Sequence, residues 1–193
     1  MNTNEFNKEY FVIGRANNSN HPLLTVKQGG EYQESEEFIQ NPDIMEYRLA
    51  KPVPSKPVMA DYHSSPYSVV SKKIGNELAK LNLKEVQLIP ATITGKNDEQ
   101  HEEYFFLHIY NYIVALDRQK SIYKWDDFLE EANPIEKIVL SEEALKAIPL
   151  EERLVFRLRE NFMFELFHKS IVDAIMATNP EGIQFTKVED YHI

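Results

Sequence analysis

The chain of 193 residues contains no cysteine. Disulfide bonds, zinc sites with thiolate ligands and thiol nucleophiles are therefore excluded. The N-terminal sequence MNTNEFNKEY lacks the basic segment and following apolar segment of a secretory signal, which predicts a cytoplasmic protein. The apolar stretch Tyr104–Leu116 spans 13 residues and includes His108 and Asn111, so it is too short and too polar to cross a membrane.

Basic residues are scarce. Lysine and arginine number 21 against 31 aspartate and glutamate residues, so the formal net charge is −10. Binding to a nucleic-acid backbone needs clustered basic side chains, so the deficit argues against DNA or RNA as a partner. It is compatible with a basic protein partner, although acidity also serves solubility alone. The acidity is greatest in residues 101–150, which have 5 basic and 10 acidic side chains.

Signatures of catalysis are also missing. The 6 histidines show no metal-ligand spacing such as HExxH, and there is no GxSxG nucleophile motif and no glycine-rich phosphate loop. Ser121 and Lys124 fit the pattern SxxK, but the SDN and KTG motifs that accompany it are absent. We therefore predict no catalytic residue, metal or cofactor. The alternative is a small hydrolase or transferase that uses His63 with Asp61 and Tyr62.

The segment Lys84–Leu116 organises the predicted fold. Two segments rich in β-branched and aromatic residues flank Gly95 and the charged run Asn97–Glu103, a pattern typical of a long β-hairpin. Tyr104–Leu116 has apolar residues at both odd and even positions. This predicts a central strand that is covered on both faces.

The spacing of apolar residues predicts two main helices, over Val69–Leu81 and Phe164–Thr178. Ser64, Ser65 and Pro66 suit the start of the first helix. Shorter strands are predicted near residues 9–13, 44–49, 58–62, 138–140, 154–158 and 183–188. Because strands and helices do not alternate regularly, we predict an α+β fold with a mostly antiparallel sheet and the two helices packed on it. We expect one domain over residues 1–193, with a poorly patterned part at 1–55 and a better patterned part at 56–193.

From Tyr62 onward, the order of several short segments is similar to that of a known family. These segments are Pro66–Ser71, the strand ending near Asn111, Leu116-Asp117 with Ser121 after it, Val155–Arg157 and Gly182–Val188. In order and spacing they resemble the immunity protein 11 family of bacterial polymorphic toxin systems. Residues 1–50 show no such match.

The resemblance implies a small non-enzymatic protein in the cytosol that is encoded next to a toxin, binds it and blocks it. It implies a toxin partner, in such systems often a nuclease, and the charge of this chain suits a basic toxin surface. Charge alone selects the candidate toxin-binding residues, which are Glu99, Glu102, Glu103, Trp125, Asp126, Asp127 and Glu130. An exposed Trp125 would be a typical hot spot, and the alternative is that it fills the core. A further alternative is an acidic adaptor for another basic protein.

One structural hypothesis concerns two charged residues near predicted strand ends. Asp117 and Arg157 would form an ion pair that fixes the sheet to its loops.

Overall fold

The computed structural model describes residues 4–64 and 67–192. These residues are 40% strand and 19% helix, and they contain thirteen strands in three sheets. The predicted α+β class is therefore wrong, and the fold is mostly β. The predicted start of the first helix at Ser65 and Pro66 lies outside the described residues.

The strands, in chain order, are β1 (Tyr10–Arg15), β2 (Leu24–Gln28), β3 (Met45–Leu49), β4 (Tyr62–His63), β5 (Val69–Ser71), β6 (Val86–Thr94), β7 (Gln100–Ile109), β8 (Tyr112–Ile113), β9 (Ile122–Asp126), β10 (Glu131–Lys137), β11 (Val155–Leu158), β12 (Asn161–His168) and β13 (Ile183–Lys187). The helices are α1 (Phe6–Glu9), α2 (Lys72–Ala79), α3 (Glu142–Lys146) and α4 (Lys169–Met176). Three short 3₁₀ helices cover Gly30–Glu34, Leu150–Glu152 and Val188–Asp190.

The two larger sheets are mixed, which corrects the predicted antiparallel arrangement. One has the strand order β13-β1-β12-β11-β8, and the other has the order β2-β3-β6-β7-β5-β4. Each contains one parallel pair, β8 with β11 in the first and β3 with β6 in the second. Both parallel pairs join strands that are far apart in the sequence, so no local turn signal announces them. Strands β9 and β10 form a separate antiparallel hairpin.

The long hairpin of β6 and β7 occupies the middle of the six-stranded sheet. Its second strand is shorter than predicted, because β7 ends at Ile109 and the chain crosses to the other sheet at β8. Asn111 fixes this crossing, since its side-chain amide donates hydrogen bonds to the carbonyl oxygens of Glu152 and Val155, each at 2.9 Å. The apolar run Tyr104–Leu116 therefore serves two sheets and is not one strand.

Both main helices begin later than predicted, directly after a strand. Val69 and Val70 lie in β5 and pair with β7, so α2 begins only at Lys72. The predicted first turn of the second helix lies in β12, which pairs with β1 and β11, and α4 begins at Lys169. Apolar residues three apart fit a buried strand as well as a helix, and pairing with neighbouring strands decides between the two.

The two helices pack between the larger sheets. Ile74 of α2 and Ile171 of α4 share one buried cluster with Leu107 of β7 and Phe167 of β12. Gly75 permits the close approach of α2 to the sheet, because a Cβ atom at this position would lie 2.6 Å from the ring of Phe105. A second buried cluster lies between the five-stranded sheet and the β9–β10 hairpin, and a third covers the other face of the six-stranded sheet.

The predicted ion pair between Asp117 and Arg157 is wrong. Asp117 pairs with Lys120 at 2.9 Å and accepts backbone hydrogen bonds within its own turn. Arg157 pairs with Glu165 of the neighbouring strand at 2.7 Å. Among the described residues, no helix has the length and apolarity needed to cross a membrane.

Candidate protein-interaction surface

The β9–β10 hairpin is attached to the rest of the protein through Ala132. The N–H of Ala132 donates to the carbonyl oxygen of Glu160 at 2.7 Å, and the side-chain amide of Asn161 donates to the carbonyl oxygen of Ala132 at 2.8 Å. Ala132 and Ile135 are buried in the adjoining core cluster. The part of β10 next to the hairpin tip is therefore fixed against the turn between β11 and β12.

The tip of this hairpin presents an exposed aromatic side chain. One carboxylate oxygen of Asp126 accepts hydrogen bonds from the backbone N–H groups of Phe128 at 2.8 Å and Leu129 at 3.0 Å. Glu130 adopts a left-handed backbone conformation with φ of 53°, which allows the chain to return into β10. Phe128 is 93% exposed at the top of this turn. Its position is thus ordered by Asp126 and not by packing of its own ring.

Exposed apolar side chains are concentrated around the hairpin. Of the thirteen large hydrophobic residues exposed in the described chain, seven belong to the hairpin, to the residue after β8 or to the start of β12. They are Val114, Ile122, Trp125, Phe128, Leu129, Phe162 and Met163. Val114, Trp125, Leu129 and Phe162 line one cleft of about 350 Å³, here called the hairpin cleft. Contiguous exposed apolar surface of this kind marks interaction sites in soluble proteins.

Charged groups surround the apolar part of the hairpin cleft. The guanidinium of Arg118 lies 4.9 Å from the ring centre of Trp125, and that of Arg159 lies 5.3 Å from the ring centre of Tyr112. Arg159 also pairs with Glu36 at 2.6 Å. The cleft is further lined by Glu130, Glu131 and Glu160. Apolar and aromatic side chains flanked by arginine and acidic groups are typical of a protein–protein interface.

The structure divides the predicted contact residues into two groups. Trp125, Asp126, Asp127 and Glu130 lie together on the β9–β10 hairpin, and Trp125 is 41% exposed and does not fill the core.

The other group, Glu99, Glu102 and Glu103, lies at the N-terminal end of β7. Glu99 accepts hydrogen bonds from the backbone N–H groups of Lys96 and Asn97, and hydrogen bonds from backbone N–H groups lower the pKa of its carboxyl. Glu102 and Glu103 follow on β7, and Glu103 pairs with Lys72 at 3.4 Å. Glu103 lies six residues, or about 20 Å of strand, before the end of β7 from which the chain continues to the β8 side of the hairpin cleft, and Glu99 precedes β7. A role for either group in binding remains a prediction.

Sequence reasoning missed the apolar half of this surface. Phe128 and Leu129 stand directly after two aspartates, and Phe162 and Met163 are adjacent residues in one strand. Two apolar residues between acidic residues in a turn give only a weak indication that their side chains are exposed to solvent. Adjacent apolar residues in a strand point to opposite faces, but which face is open depends on the neighbouring sheet.

The alternative catalytic residues do not form a site. His63 is 1% exposed, its Nδ1 lies 3.1 Å from the carbonyl oxygen of Pro22, and burial lowers its pKa to about 4. Asp61 instead bonds Lys73 and Ser71, each at 2.6 Å. The Tyr62 hydroxyl bonds the hydroxyl of Ser68 at 3.0 Å. The three side chains therefore have three different sets of partners, although they are adjacent in sequence.

Within residues 4–64 and 67–192, no group of three or more histidine, aspartate or glutamate side chains is arranged to hold a metal ion.

Two comparisons with known proteins bear on the identity of the chain. A family model described as an immunity protein family (Imm11) matches residues 2–190. The match includes the N-terminal residues, for which the sequence showed no resemblance. No curated protein matches the chain.

Proposed function

This chain belongs to the immunity protein family Imm11, and we propose that it neutralises a cognate bacterial toxin by binding it through the β9–β10 hairpin and the hairpin cleft. The family match confirms the resemblance predicted from the sequence. An immunity function requires a toxin partner, and we propose inhibition by binding, in the cytosol, without catalysis. The observation that supports this surface is the exposed Phe128 at an ordered turn beside the apolar cleft.

The apolar groups of the hairpin suit the centre of a stable interface. Exposed aromatic side chains gain free energy when a partner removes them from water, at roughly 25 cal/mol per Å². Aromatic and arginine residues dominate the energetics of many interfaces, and here they are held in place by stacking on one another. A standard interface buries about 1,600 Å², so the contact would extend beyond the cleft itself.

The charges of the hairpin indicate the character of the toxin surface. Asp126, Asp127, Glu130 and Glu131 stand within six consecutive residues that contain no lysine or arginine. We infer that the toxin presents lysine or arginine side chains around an apolar centre. A nuclease domain fits this description, because its substrate-binding surface must neutralise phosphates.

Replacing Phe128 with serine is expected to weaken toxin binding by about 2 kcal/mol or more, or at least about thirtyfold in Kd. The protein fold should not change, because the ring contributes little to the core when it is 93% exposed. Co-expression with the toxin encoded by the neighbouring gene, followed by a growth-rescue assay and calorimetry of the purified complex, measures this effect.

Met176→Ser is the matched control. This methionine is an exposed hydrophobic residue at the end of α4, outside the hairpin cleft, and its replacement should leave affinity and rescue unchanged. Equal effects of the two substitutions would reject the hairpin surface. No complex and no rescue with the wild-type chain would reject the immunity function.

The acidic residues at the start of β7 are expected to act differently. They lie away from the hairpin cleft, so we propose that Glu99, Glu102 and Glu103 steer the approach of a basic toxin. Replacing Glu102 and Glu103 with glutamine should slow association severalfold at low salt and leave dissociation unchanged. Association rates at low and high salt test this. A faster dissociation of the variant would instead show direct contact.

A further inference from the structure

The β9 strand pairs with β10 along one edge, and its other edge is open. The hydrogen bonds of Ala132 in β10 show which backbone groups of β9 point towards the open edge. Ala132 of β10 stands opposite Trp125 of β9. Both backbone groups of Ala132 bond away from β9, its N–H to Glu160 and its carbonyl oxygen to Asn161. In an antiparallel ladder, such a residue belongs to a non-hydrogen-bonded pair, so the N–H and C=O of its opposite residue also point outwards.

The backbone N–H and C=O of Trp125 therefore face the open edge of β9. Tyr123 has the same orientation, because alternate residues of a strand direct their backbone groups to the same side. This hairpin has two register shifts, and both place the extra residue on β10, so β9 itself stays regular. Three residues lead from Ala132 to Ile135 while two lead from Trp125 back to Tyr123, and two lead from Ile135 to Lys137 while one leads from Tyr123 to Ile122. Within the described residues, neither Tyr123 nor Trp125 has a backbone partner on that edge.

We propose that an extended segment of the cognate toxin adds to β9 as a third strand, with its backbone hydrogen-bonded to Tyr123 and Trp125. This inference rests on the proposed immunity function and specifies how the partner docks. An open strand edge provides binding energy through backbone hydrogen bonds, and the side chains beside it provide specificity. Here the exposed ring of Trp125 lies on that strand and that of Phe128 lies at its end.

Charge favours a toxin segment over a second copy of this chain. Antiparallel pairing of two β9 strands through Tyr123 and Trp125 would place Lys124 directly opposite Lys124, and like charges in that position are destabilising. Two copies would also bring together the acidic groups of two hairpins, on chains that each carry a net charge of −10. A basic extended segment avoids the repulsion between two acidic hairpins, and it avoids the first obstacle when its residue opposite Lys124 is uncharged or acidic.

Amide hydrogen exchange in the free chain and in the purified toxin complex is the first test. The amides of Tyr123 and Trp125 face solvent in the free chain and should exchange fast, then slow by about tenfold or more in the complex. If a tight complex forms and rescues growth while these two amides still exchange fast, strand addition is wrong and the proposed function stands. Protection in the free chain, with a dimer in solution, would identify a second copy as the occupant and overturn the proposal. Failure to form any complex would reject both proposals.

Trp125→Pro compared with Trp125→Ala is the second test. Both variants lose the indole, but only proline loses the outward N–H and places its ring where a third strand would lie. Trp125→Pro should bind the toxin about tenfold or more weakly than Trp125→Ala, since a hydrogen bond and the close approach of the strand are both lost. Circular dichroism and thermal unfolding establish that both variants fold. Equal affinities of the two folded variants would overturn the proposal.

Discussion

Replacing Arg157 with methionine is expected to lower the free energy of unfolding by about 3–5 kcal/mol. Arg157 is 1% exposed and donates to a carboxylate oxygen of Glu165 at 2.7 Å. The other carboxylate oxygen accepts a hydrogen bond from Ser68 at 2.5 Å, and the Ser68 hydroxyl bonds Tyr62 at 3.0 Å. Removing the guanidinium would leave the buried carboxylate of Glu165 without its counter-charge. Such a loss is a large part of the free energy of unfolding of a typical domain, which is roughly 5–15 kcal/mol.

Urea unfolding measures this effect, and two variants serve as its controls. Arg159→Met removes an arginine whose ion pair with Glu36 is half exposed, and it should change the free energy of unfolding by at most about 1 kcal/mol. A double variant, Arg157→Met with Glu165→Leu, removes both buried charges and should recover most of the stability that the single variant loses. If the free energy of unfolding of Arg157→Met is no lower than that of Arg159→Met, the counter-charge that Arg157 provides to Glu165 is not needed for stability.

The second large effect is a loss of stability below pH 6.5 that is caused by His63. Burial lowers the pKa of this imidazole from 6.5 to about 4, and the charges of His21 and Arg15 act in the same direction. Between these two pH values the unfolded state binds more protons than the folded state, so stability falls as the pH falls. The full stabilisation is present above pH 6.5, and the loss is complete only below about pH 4. A shift of this size corresponds to about 3 kcal/mol at low pH and to about 2 kcal/mol at pH 5.

His63→Gln isolates this contribution. Glutamine keeps a donor for the carbonyl oxygen of Pro22 but does not bind a proton in this range. Urea unfolding at several pH values between 4 and 7 should show a smaller decrease in stability for the variant than for the wild-type chain. His192→Gln, at an exposed position, is the matched control and should retain the wild-type decrease. An identical decrease in His63→Gln and the wild-type chain would contradict the assignment.

The secondary structure was predictable where the local pattern had only one explanation. Gly95 and the charged residues after it, between two β-branched segments, specify the hairpin of β6 and β7. Ser141 before Glu142 specifies the start of α3, and its hydroxyl accepts the capping hydrogen bond from Ala144. The start of α2 was misplaced because the β-branched pair before it has a strand partner, β7, that lies more than 30 residues away in the sequence.

The candidate surface was predictable only in part. Charge identified the acidic residues around Trp125, since charged side chains nearly always remain in water. It could not identify Phe128 or Phe162, because an apolar residue is usually buried and only its neighbours in three dimensions show that it is exposed. The same limit explains why His63, two residues after Asp61 in the sequence, is a candidate for acid–base chemistry although the two side chains have separate partners.

The sequence by itself determined the absence of thiol chemistry, the acidic character, the central hairpin and the resemblance to an immunity family, because each depends on composition or on order along the chain. Tertiary structure alone decided the parallel pairs within the two large sheets and the pairing of Arg157 with Glu165. It also decided that the backbone of Trp125 faces an open edge. These features depend on contacts between segments that are distant in the sequence, and such contacts form only when burial of apolar surface selects one arrangement of the sheets.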